Sequence, residues 1–106
     1  MDHPKENLRL IDAKEIEPYA AFDHGDVVSS AGDTLGSVDG FVLDTHSGAP
    51  CYVVVDAGGW FKSRFFLLPI ENAHLDQTRH RVTADLSIED VKEFPGFDKD
   101  EFQTLH

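Results

Sequence analysis

From Asp26 onward, apolar positions recur with a period near two and are cut by Gly, Asp, Asn or Pro roughly every 8–12 residues, the pattern of a small all-β domain. Val27 and Val28 open a first strand, and Ala31, Gly32 and Asp33 form a turn. Residues 35–44 make a second strand, in which Gly40 interrupts the alternation and marks a bulge. Ser47 and Gly48 turn the chain into a third strand at residues 51–56. There Cys51, Val53 and Val55 lie on one face and Tyr52 and Val54 on the other, both largely buried. Gly58 and Gly59 permit a positive φ in the hairpin to a fourth strand over Phe65, Phe66, Leu67 and Leu68, which Pro69 ends. A last strand alternates His80, Val82 and Ala84 against Arg81 and Thr83.

These elements predict a mostly β fold, a small antiparallel barrel of about five or six strands with a short C-terminal helix. Val53, Val55, Phe65 and Leu67 are expected on its first buried face. The helix follows from Ser87 and Asp90 at capping spacing, with Ile88, Val91 and Phe94 on one face and Pro95 and Gly96 at its end. Residues 1–25 read as an irregular lead-in, not a domain. In it Asp12 and Glu15 cap one helical turn before Pro18, and Leu8, Leu10, Ile16, Tyr19 and Phe22 dock it on the core. The barrel is expected over residues 26–96. The acidic tail, 97–106, carries Phe97, Phe102 and Leu105 and is expected to pack back.

Composition narrows the role. The chain has 106 residues, of which 41% are hydrophobic, so one core is expected and wholesale disorder is not. Twenty acidic against nine basic residues give a net charge of −11, which repels phosphate backbones and argues against direct nucleic-acid binding. The longest apolar runs are strand-sized, so no membrane span is expected. A lone cysteine, Cys51, and a polar start, MDHPKENLRL, without the apolar stretch of a signal peptide make a cytoplasmic location the expectation.

The stretch GDTLGSVDGFVLDTHSGAPCYVVVDAGGWFKSRFFLLP resembles the photosynthetic reaction centre (PRC) barrel family. The resemblance rests on Gly36 and Val38 after a turn, the strand at 39–44, the Ser47–Gly48 turn, the strand at 53–56, Gly58, Gly59 and Trp60, the Leu67, Leu68, Pro69 triplet and the closing helix at 88–95. It implies a small barrel like those of the reaction-centre H subunit and of a ribosome maturation factor. No transmembrane helix like that of the former is expected here, and the 25 residues before the barrel are too few to form the preceding domain of the latter. What the resemblance implies is a stand-alone binding or assembly module that pairs with another protein or with a second copy as a homo-oligomer. It brings no catalytic residues and no cofactor.

Chemistry-bearing residues are sparse. Asp44, His46 and Cys51 flank one loop and have metal-ligand side chains, but turn chemistry explains them more simply, so no metal is expected. His74 and His80 flank a turn at 76–78 and read as surface histidines before they read as a pH sensor. Ser47 lies in no nucleophile elbow, and Cys51 has no basic neighbour, so an enzyme is not expected. Residues 32–36 lack the Lys of a phosphate loop, and Asp98, Asp100 and Glu101 lack the Gly of a calcium loop. Trp60, Phe61, Lys62 and Arg64, an aromatic and basic cluster in an acidic chain, are the expected interaction residues, with Trp60 folded over the barrel mouth as the competing reading. The remaining alternatives are an accessory factor in ribosome or RNA metabolism acting through protein contacts, and a small-ligand or metal-binding barrel.

Overall fold

The computed structural model describes residues 8–15, 19–61 and 63–99. Seven strands form one sheet: β1 (Leu8–Asp12), β2 (Asp26–Val28), β3 (Thr34–Asp44), β4 (Pro50–Asp56), β5 (Phe65–Pro69), β6 (Ala73–Asp76) and β7 (Arg81–Ala84). The strand order is β5-β4-β3-β2-β7-β6, with β1 also on β3. Among the described residues no ladder joins β5 to β6, so the barrel is a curled sheet not closed by hydrogen bonds. One helix, α1 (Ile88–Lys92), follows. Its Ser87 hydroxyl accepts from the Asp90 amide while the Asp90 carboxylate accepts from the Ser87 amide, the capping box that the spacing predicts.

Strand β3 organises the sheet. One edge pairs with β4, and the other is divided between β2, at residues 34–37, and β1, at residues 40–44. At the changeover Val38 pairs with Val55 and Gly40 with Val54, which leaves Asp39 as the extra residue of a bulge. The bulge expected at Gly40 is therefore present. Its glycine has a packing cause as well: a Cβ there would overlap the Ile11 carbonyl oxygen of β1.

Several expectations need correction. Residues 8–12 are a strand, not irregular lead-in, because Leu8, Leu10 and Ile11 supply apolar side chains to both faces along an edge of β3 that needs pairing. A 3₁₀ turn at Ala13–Glu15 stands in place of the expected helical turn, and Ile16 and Pro18 lie outside the described residues. The sheet is not wholly antiparallel: β7 returns beside β2 in parallel, an arrangement that needs a long crossover, supplied by β3 through β6. Strand β6 is legible in sequence only as one side of the 76–78 turn, and with β1 it raises the count to seven.

The phase of β5 also differs. Val53 opposes Leu68 and Val55 opposes Phe66, and opposed residues share a face, so Phe66 and Leu68 join the inner core. Phe65 and Leu67 point to the other face. The inner core packs Phe22, Val27, Leu35, Val38, Phe41, Val53, Val55, Phe66, Leu68 and Val82, all fully buried, under Val91 of α1.

Candidate interaction surface

The outer face of β1, β3, β4 and β5 is apolar too. Val42 and Val54 are fully buried there, and Leu8, Leu10, Tyr52, Phe65 and Leu67 lie half-buried around them. The register makes the belt continuous: Leu10 opposes Val42, Val42 opposes Tyr52, and Val54 opposes Leu67. A small antiparallel barrel ordinarily turns polar residues outward. This one carries a second apolar cluster on its exterior.

The chain itself covers the middle of that belt. Beyond α1, the Phe97 amide donates to the Phe65 carbonyl (3.1 Å), and the Phe97 side chain is buried against Val42 and Val54. Two residues on, Lys99 Nζ meets Asp39 Oδ2 at 2.7 Å, so the bulged residue of β3 anchors this C-terminal strap. Packing back, expected for the tail, holds for Phe97. Phe102 and Leu105 lie outside the described residues.

Two ion pairs frame Phe65. Arg64 Nε and Nη2 reach the Asp56 carboxylate at 3.1 and 3.0 Å, a bidentate geometry. The Arg64 guanidinium and the Lys99 ammonium lie 5.3 and 5.1 Å from the Phe65 ring centroid. Arg64, assisted by the Gly58 amide, holds the Asp56 carboxyl below the usual aspartate range against the opposing effect of burial. A depressed carboxyl stabilises the fold above its unfolded value, and that contribution is lost as pH falls through the folded one. The stability difference between wild type and Arg64→Gln is therefore expected to be full at pH 7 and to shrink toward zero below about pH 4, as read from urea midpoints. A difference that stays constant down to about pH 2 would show that the pair does not govern this step.

The expected interaction residues separate. Phe61, expected at an exposed tip, is 5% exposed and packs in the inner core against Phe66, because a 3₁₀ turn at Gly58–Trp60 points it inward. Trp60 is 38% exposed, yet its Nε1 donates to the Leu35 carbonyl (2.9 Å), so the indole folds back over the barrel end. Arg64 is exposed and paired with Asp56, and Lys62 lies outside the described residues. The hairpin there is closed by Asp56 opposite Phe65 and spans residues 57–64, with Gly58 at φ 72°.

The loop holding Asp44, His46 and Cys51 shows turn chemistry: Asp44 Oδ1 accepts the His46 amide, and Gly48 has φ 75°. Among the described residues, no three His, Cys, Asp or Glu side chains gather as a metal site. His74 stands on β6 opposite Thr83, and His80 occupies the turn before β7 with φ 53°. No helix among the described residues is long and apolar enough to cross a membrane.

The order of strands, the bulged β3 and the capped closing helix define a small barrel-type β domain. The PRC-barrel domain family matches residues 19–90, and the chain belongs to that family. Among curated proteins, none matches it. The outer belt escapes a reading of the sequence because the runs CYVVV and FFLLP show that both faces are covered without revealing which face turns inward.

Proposed function

We propose that this chain is a non-catalytic protein-interaction module that self-associates through the outer face of β1, β3, β4 and β5, in a cytoplasmic setting. The observation that carries this reading is the second apolar cluster, which the strap covers only at its centre. Charge supports the same face. A net charge of −11 opposes the approach of two copies, yet here Asp39 and Asp56 are matched by Lys99 and Arg64, which relieves that repulsion beside the apolar belt.

Leu67→Asp places a charge on the rim of the belt without touching the inner core. It is expected to reduce the sedimentation-equilibrium mass to that of a monomer while leaving the circular dichroism spectrum unchanged. A wild-type chain that is monomeric at millimolar concentration would reject self-association. A dimer indifferent to Leu67→Asp would reject this face.

A further inference from the structure

The strap that covers the outer face is built to be exchanged. Phe94 makes a T-shaped contact with Phe66 in the inner cluster (ring centroids 5.8 Å apart), and Phe97 packs in the outer one. Only Pro95 and Gly96, both exposed, connect them. Three residue steps, at most about 11 Å of chain, lead from the inner cluster to the outer one, so the hinge is short. It is crowded as well: a Cβ at Gly96 would overlap the Ser63 hydroxyl. A short, crowded hinge favours release of the segment beyond it into a neighbouring molecule.

When the strap lifts, it removes Phe97 from Val42 and Val54 and Lys99 from Asp39. What remains is an apolar hollow beside a carboxylate that has lost its ammonium partner. The occupant that fits both is the same segment of a second copy, which brings an aromatic ring and an ammonium two residues apart. We infer that two copies exchange the strap Phe97, Asp98, Lys99, each docking on the outer face of the other in a reciprocal two-fold dimer. This inference rests on the self-association proposed above and specifies its geometry. Exchange repeats every contact of the closed form and adds the meeting of the two half-buried belts, so concentration decides between them.

Charge reversal separates exchange from closure within one chain. In Asp39→Lys alone, the Lys99 ammonium meets a second ammonium whether the strap is closed or exchanged between like copies; in Lys99→Asp alone, two carboxylates meet. Mixed one to one, an exchanged heterodimer regains an opposite pair at both docking sites, because each strap meets the opposite charge on the other copy, whereas closed chains regain none. Native mass spectrometry with one variant ¹⁵N-labelled is expected to show the heterodimer, with an apparent dissociation constant about tenfold below that of either variant alone. Thermal melts establish that each variant is folded, and the pair Asp39→Arg with Lys99→Glu provides a second set if one is not. A dimeric wild type whose variant mixture forms the heterodimer no more tightly than either variant pairs with itself overturns exchange and leaves self-association standing. A wild type and a mixture that both stay monomeric at millimolar concentration overturn both.

Discussion

Phe66→Ala is expected to lower the thermal midpoint by roughly 15 °C or more, the largest effect of any single truncation in this chain. Phe66 is fully buried and links three parts of the molecule. It stands on β5 opposite Val55, its ring lies 5.2 Å from Phe61 of the 57–64 loop, and it makes a T-shaped contact with Phe94 beyond α1. Removing the ring forfeits its transfer energy and leaves a cavity that the surrounding strands cannot close, a cost of about 3–5 kcal/mol. Domains of this size are stable by only about 5–15 kcal/mol, so the variant sits near its folding threshold. Thermal unfolding followed by circular dichroism measures this. Phe66→Leu, which refills most of the volume, is expected to recover more than half of the loss. A fall of less than about 5 °C in the alanine variant would show that the inner cluster does not hold the barrel together.

Gly40→Ala tests the other structural axis, the crossing of β1 over the bulge in β3. The added methyl would collide with the backbone carbonyl of Ile11, which cannot rotate away as a side chain can. Either β1 moves off or β3 flattens, at about 1–3 kcal/mol. Because β4 pairs on the far edge of β3, the damage is expected to be local. Amides of Leu8–Asp12 lose hydrogen-exchange protection, while those of β4 and β5 keep theirs. Uniform loss of protection across all strands would contradict a separately held β1. Since Leu8 and Leu10 belong to the outer belt, the same variant is also expected to weaken self-association.

The expected interaction cluster at residues 60–64 shows how far local pattern carries. Two glycines followed by Trp60 and Phe61 correctly mark a turn with a positive φ, and Gly58 adopts it. Local pattern does not say that the turn winds as a 3₁₀ helix, which sends Phe61 inward and lays the Trp60 indole across Leu35 from another strand. Arg64 is visible in the sequence as a cation, but its partner Asp56 becomes apparent only when the hairpin closes. Lys99 and Asp39 are farther apart still, joined across 60 positions of sequence.

What the linear chain determined by itself is local. Alternation specified most strands, Gly40 the bulge, Ser87 and Asp90 the helix cap, and the resemblance over residues 32–69 the family, because each depends on side chains a few positions apart. What only the tertiary structure decided is nonlocal. It chose Phe66 and Leu68 over Phe65 and Leu67 for the core, recruited Leu8–Asp12 to an edge of β3, and laid Phe97 across the exterior. In runs apolar on both faces, a shift of one residue exchanges the faces with no change in pattern, so the register comes from pairing with a neighbouring strand and not from the run itself.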